Sequence, residues 1–189
     1  MRWLHIYASM LGLGALVFFS ATGITLNHPD WTLGTTRKQE EIGGQVETAW
    51  VETGLAEAQI KRLEVVEHLR RVHRVQGTVD EVRVDEQELF VAFKGPGYAA
   101  DAWVTRSTGV VRMTVAREGW VAVMNDLHKG RHTGGVWAWV IDLSAGVMLV
   151  LSATGLVLLM YLRRRRWRGL AVGMVGTTAL VAVVWGWVP

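Results

Sequence analysis

Four of the six histidines in this chain, His5, His28, His128 and His132, stand at the ends of long apolar segments. Two of those segments share a four-residue phrase, Ser20-Ala21-Thr22-Gly23 and Ser152-Ala153-Thr154-Gly155. The correspondence extends to Gly12 with Ser144 and Gly14 with Gly146, so one helix design is used twice with imidazoles at its edges. A ring nitrogen of histidine is a metal ligand, and small residues along a membrane helix permit close helix packing or make room for a flat group. The pattern points to a helix pair built around a cofactor. There is no cysteine, which excludes iron–sulfur clusters, c-type haem attachment and thiol redox motifs. Any redox centre must rest on histidine or methionine.

The elements that position these residues are membrane spans. Half of the 189 residues are hydrophobic, and three apolar stretches reach the roughly 20 residues needed to cross a bilayer core: Trp3 to Leu26, Trp137 to Leu162 and Gly169 to Val188. The first is longer than the h-region of about 7–15 residues in a secretory signal, and no A-x-A site follows it, so it reads as a retained anchor. Arg163-Arg164-Arg165-Arg166 and Arg168 crowd the loop between the second and third spans, and Arg2 precedes the first. The positive-inside rule then places the N-terminus and this loop in the cytoplasm and the middle of the chain outside. Trp3, Trp31, Trp137, Trp139, Trp167, Trp185 and Trp187 all fall at predicted membrane edges, where an amphipathic ring is favoured. The formal net charge of +3 is accounted for by the arginine loop and calls for no nucleic-acid partner.

The resulting division is a first span over 1–28, an extracytoplasmic domain over 29–125, a histidine-containing segment and second span over 126–162, a basic loop over 163–168 and a third span over 169–189. Within the middle domain, Leu55-Ala56-Glu57 through Val72 is predicted to form an amphipathic helix, with Ile60, Leu63, Val66 and Leu69 near helical spacing. After Gly77 the period changes to two. Val79 to Val84, Leu89 to Phe93 and Ala102 to Val104 are predicted strands, punctuated by Gly95-Pro96-Gly97 and Ser107-Thr108-Gly109. One helix on an antiparallel sheet is the expected arrangement.

These residues resemble a known family. A helix followed by strands ending in Trp103-Val104-Thr105-Arg106-Ser107-Thr108-Gly109-Val110-Val111 lies between spans marked by Leu4-His5, by Asn27-His28-Pro29-Asp30-Trp31 and by Asn125-Asp126-Leu127-His128-Lys129-Gly130-Arg131. The pattern is similar to the PepSY-associated transmembrane helix family and covers nearly the whole chain. The resemblance implies three membrane helices with an inserted small α+β PepSY-like domain in the bacterial inner membrane. Larger members are implied to be haem-b membrane reductases acting on siderophore-bound ferric iron, with histidine axial ligands. This chain departs from them in having three spans and in lacking a further helix and a second outer domain.

Six-coordinate haem iron takes an axial side chain on each face of the macrocycle. His28 lies at the outer end of the first span and His128 and His132 at the outer start of the second, so His28 and His128 are the expected outer pair. His132 is an alternative ligand, or a partner for a haem propionate together with Lys129 and Arg131. His5 lies at the other end of the first span, about 34 Å from His28 along a straight helix, and belongs to a separate inner site. Met160 and Tyr161 are the other candidates near that depth, so a second copy or a partner subunit is the expected source of an inner ligand. The four-residue spacing of His128 and His132 also fits a metal-binding helical face, and headgroup anchoring is the plainer reading of any of these imidazoles. His68 and His73 read as surface residues of a charged helix. Asp142, an acid within an apolar span, is expected to pair with Lys129 or Arg131, with a proton relay as the alternative.

No G-x-G-x-x-G, P-loop, G-x-S-x-G or H-E-x-x-H pattern is present, so no NAD, flavin or ATP site and no hydrolase of those classes is expected. The expectation is a haem-b electron-transfer protein supplied by a quinol or a partner redox protein. It would support reduction of a ferric chelate or an extracytoplasmic redox partner, as a component of a membrane ferric reductase. The alternative is a membrane-anchored binding or regulatory module, or an accessory subunit of an iron-uptake or redox complex.

Overall fold

The computed structural model describes residues 2–31, 36–54, 56 and 59–188. Three helices have the length and apolarity of membrane spans: α1 (Arg2–Asn27), and two later ones at Gly134–Tyr161 and Arg166–Trp187. Their 26, 28 and 22 residues correspond to at least about 33 Å at 1.5 Å per residue, enough for a bilayer core of about 30 Å. The predicted spans are therefore present, each shifted by no more than a few residues.

Between the first two spans lies a five-stranded antiparallel sheet. Its strands are β1 (Lys38–Gln45), β2 (Thr78–Val84), β3 (Glu88–Gly95), β4 (Tyr98–Thr105) and β5 (Val110–Arg117), in the order β1-β5-β4-β3-β2. Helix α2 (Arg62–His73) follows β1 in the chain, and α3 (Trp120–Lys129) follows β5. The two remaining helices are α4 (Gly134–Tyr161) and α5 (Arg166–Trp187). The chain divides into two compact units, one comprising Phe19–Ile141 and the other Met1–Phe18 with Asp142–Pro189.

Alternation along the strands sends one set of side chains into a core with α2. Leu89, Val91 and Phe93 of β3, Ala100, Ala102 and Val104 of β4, and Val111, Met113 and Val115 of β5 are buried against Val65, Val66 and Leu69. Full burial of each large aliphatic or aromatic side chain is worth about 1.5–3 kcal/mol. The opposite face carries a row in register across four strands, Arg83–Phe90–Trp103–Arg112. Arg83 lies 5.1 Å from the Phe90 ring centroid, and Phe90 and Trp103 are 5.2 Å apart.

Four features differ from the sequence expectation. Helix α2 begins at Arg62, and Leu63, expected on its inner face, is 70% exposed. The preceding chain folds back through Lys61 N–H to Trp50 O, so the helical phase starts later and turns Val65, Val66 and Leu69 inward. Leu55 and Glu57 lie outside the described residues. Strand β1, Lys-Gln-Glu-Glu-Ile-Gly-Gly-Gln, has almost no strand propensity of its own, and pairing with β5 makes it a strand. Its charges suit an edge position.

Arg106 is the third. It is buried, and its guanidinium donates to Val51 O at 3.0 Å, Glu52 O at 3.0 Å, Asp85 O at 3.0 Å and Glu86 O at 3.2 Å. It ties the loop after β1 and the β2–β3 turn to the end of β4. Arg106→Met is expected to lower the stability of the sheet domain by about 2–4 kcal/mol, since it leaves buried carbonyls without donors. Urea unfolding of the full-length protein, followed by circular dichroism, reads the change.

His73 is likewise not a plain surface residue. Its ring lies against Gly44 of β1, where a Cβ would come 2.5 Å from Nε2, and that nitrogen is buried without a hydrogen-bond partner among the described residues. Desolvation, followed by the nearby His68, pushes the His73 imidazole below its ordinary value. The unfolded chain takes up the proton near pH of about 6.5, whereas the folded ring takes it up only at lower pH. The stabilisation is therefore complete above that value and is lost as pH falls through the depressed folded value. Unfolding midpoints are expected to drop on acidification below about pH 6.5, and His73→Gln is expected to flatten that dependence.

Candidate functional site: two threonine–histidine pairs

The repeated phrase proves to be a contact motif. In one unit, the His5 ring on α1 reaches Thr154 on α4, with Nδ1 2.8 Å from Oγ1. In the other, the His128 ring on α3 reaches Thr22 on α1, with Nδ1 2.6 Å from Oγ1. Each threonine of the repeat thus holds a histidine from a different helix. Thr22 and Thr154 are, with Arg106, the buried polar residues among those described. The glycine that follows each threonine lies beside the same ring. A Cβ on Gly155 would sit 3.5 Å from His5 Cε1, and one on Gly23 would sit 3.8 Å from His128 Cε1.

The His128 pair belongs to an antiparallel ladder between the end of α1 and α3. Thr22 meets His128, and Thr25 Oγ1 lies 2.6 Å from Asn125 Oδ1. Phe19 presents its ring to His128 edge-on, 5.1 Å between centroids. Helix α3 ends at Gly130, which adopts φ 66° and returns its N–H to Asp126 and Leu127 carbonyls. A glycine there carries a left-handed backbone without the Cβ clash other residues meet. The Trp137 indole N–H donates to Leu127 O at 2.8 Å, fixing the chain between α3 and α4.

The other expected ligands sit elsewhere. His28 lies beyond the last residue of α1, exposed, its ring stacked on Trp31 at 4.4 Å with planes 5° apart. It lines a cavity of about 220 Å³ with Trp31, Val121, Ala122, Asn125 and Lys129. That cavity runs along α3 from Val121 to Lys129, and His128 is not among its lining residues. Among the described residues His28 contacts Trp31 and His128 contacts Thr22 and Phe19.

His132 is in the connector before α4, with φ 55°, so the four-residue spacing from His128 does not create a shared helical face. Its Nδ1 lies 3.6 Å from Asp80 Oδ1, and Lys94 Nζ lies 2.6 Å from Asp80 Oδ2. The Lys94 hydrogen bond, with the Lys94 and His132 charges, holds the Asp80 carboxyl below its usual range, and Asp80 raises Lys94 in turn. Asp142 is exposed on α4 and makes no ion pair among the described residues.

A family model described as PepSY_TM-like matches residues 1–189. The chain belongs to that family. No curated protein matches it, and neither does any solved structure. In this PepSY_TM-like protein the sequence marked His5, His128 and the repeat as separate features and missed that they are partners. The signal was there in the doubling of Leu-His (Leu4-His5, Leu127-His128) alongside the doubling of Ser-Ala-Thr-Gly. Periodicity cannot show that each histidine crosses to the other copy of the phrase.

Between α1 and α4, Gly12 provides the close approach that lets His5 reach Thr154. A Cβ at Gly12 would lie 2.9 Å from Val147 Cγ1 and 3.0 Å from Leu151 Cδ1, whereas one at Gly14 meets nothing within 4 Å. Gly12→Leu is expected to lower the thermal midpoint of the detergent-solubilised protein by several degrees, and Gly14→Leu to leave it nearly unchanged. Differential scanning fluorimetry compares the two.

Proposed function

We propose that the protein is a haem-b-binding membrane protein that transfers electrons, with His5 and His128 as axial ligands at two separate sites. The observation that carries this reading is the state of the two imidazoles. Each is anchored at Nδ1 by a threonine, and Nε2 of each has no hydrogen-bond partner among the described residues. A metal-ligating histidine commonly has its other ring nitrogen held in this way.

The ligand count favours a macrocycle over a bare ion. Among the described residues, no group of three or more His, Asp or Glu side chains is placed to hold a metal, whereas a bare transition-metal ion usually takes three or four protein ligands. A porphyrin brings four equatorial nitrogens and asks the protein only for axial ones. One anchored imidazole at each site fits that demand. Haem bound there would supply a one-electron ferric–ferrous couple. The chain's own part is to fix each ring and, at His128, to set the Phe19 ring edge-on beside it. We further propose that the arginine-rich loop is cytoplasmic and the sheet domain extracytoplasmic in a bacterial inner membrane. Electrons would then come from a quinol or a redox partner and pass to a ferric chelate or an extracytoplasmic acceptor.

A second reading is favoured by the open sheet face. The row Arg83–Phe90–Trp103–Arg112 offers aromatic and cationic contacts suited to docking a protein or peptide, with the helices as an anchor.

The test is a dithionite-reduced minus oxidised spectrum of protein purified from haem-replete cells. The expected result is a b-type spectrum in wild type, about halved in His5→Ala and in His128→Ala, and retained in His132→Ala. Wild-type protein without a Soret band overturns the haem reading and leaves the docking one.

A further inference from the structure

Each threonine of the repeated phrase has a single hydroxyl proton, and the oxygen and nitrogen atoms around it point to where it goes. Thr154 Oγ1 lies 2.7 Å from Val150 O and 3.1 Å from Leu151 O, within its own helix. Two oxygens at 2.7 Å require a proton between them, and a backbone carbonyl has none to give. The hydroxyl proton is therefore committed to the carbonyl, and Oγ1 faces His5 Nδ1 with a lone pair. At 2.8 Å the proton in that contact must come from the imidazole. Thr22 is arranged alike with a looser carbonyl contact, Oγ1 donating to Phe19 O at 3.4 Å and lying 2.6 Å from His128 Nδ1, so the proton's place is fixed most firmly at Thr154 and extends to Thr22 by the parallel placement.

We infer that Thr22 and Thr154 are positioning residues that select one tautomer of His128 and His5, with the proton on Nδ1 and the lone pair on Nε2. Free neutral histidine prefers the opposite tautomer, so this is an imposed state. It is imposed where the threonine hydroxyls are shielded from solvent, because both threonines are buried. The helix carbonyls act through the threonines: the turn of α4 that accepts the Thr154 proton decides which nitrogen of a ring on α1 is basic. The consequence is that both rings offer Nε2 as an electron-pair donor without a preceding proton shift. The inference goes beyond the haem proposal, since the tautomer is a property of the chain itself.

The experiment is nitrogen NMR of histidine-labelled, haem-free full-length protein in nanodiscs at mildly alkaline pH, with His5→Ala and His128→Ala assigning the signals. In wild type, both rings are expected to show a protonated Nδ1 and an unprotonated Nε2. Thr154→Val is expected to shift only the His5 ring toward the opposite tautomer and Thr22→Val only the His128 ring. The two serine variants, which keep the hydroxyl, restore the wild-type pattern. Protonated Nε2 on either ring in wild type overturns the inference, as does a valine variant with an unchanged tautomer. If a valine variant does not fold, the wild-type and serine spectra still decide. Because the sample contains no haem, the outcome is independent of whether a Soret band is found.

Discussion

A polar side chain inside an apolar helix bundle must find its partner within the protein. In this chain that constraint is met by threonine–histidine pairs. Interhelical hydrogen bonds of this kind contribute about 0.6–2 kcal/mol each, modest as stability but strong as specification. A helix rotated by one residue would leave an imidazole and a hydroxyl unpaired in a water-poor setting, which costs more than the bond itself contributes. The pairs therefore fix which faces of α1, α3 and α4 meet within each unit. The glycines beside them serve the same end, Gly12 by allowing close approach of α1 to Val147 and Leu151, and Gly23 and Gly155 by lying against the rings.

The sheet domain solves a different problem with the same economy. Its core is the ordinary product of alternation, Leu89, Val91 and Phe93 facing Val65, Val66 and Leu69. Its irregular loops are held by one buried cation, Arg106, whose planar guanidinium satisfies four backbone carbonyls at once. A lysine has the charge but not the fork. His73, pressed on the bare backbone of Gly44, makes the β1 edge sensitive to protonation. The domain thus carries its polar specificity at its margins while its centre is apolar.

Much of the fold was legible from residue patterns because those patterns report one-dimensional properties. Three runs of apolar residues define three spans, and a period of two between Val79 and Val104 defines strands. Strand β1 was illegible because nothing in Lys38–Gln45 prefers an extended chain until β5 offers hydrogen bonds. Helix α3 was not set apart, since the boundary drawn at 125/126 cuts through it and joins its second half to the segment before the second span. The division comes from Gly130 and His132 adopting left-handed backbone, a conformational event that leaves only a glycine as its trace. Arg106 stands next to the turn residues Ser107-Thr108-Gly109, and nothing in that order along the chain marks it as buried.

At the candidate site, the sequence by itself determined the residue types, the doubling of Ser-Ala-Thr-Gly and the placement of histidines at the ends of spans, because all of these follow from order along the chain. It could not determine partnership. His28 and His128 share a predicted depth, yet one stacks on Trp31 and the other bonds to Thr22. Only the tertiary structure decided that His5 crosses to the second copy of the phrase and His128 to the first. The reason is that a hydrogen bond depends on the azimuth and separation of two helices, and residues 149 and 106 positions apart acquire those relations only when the chain has packed.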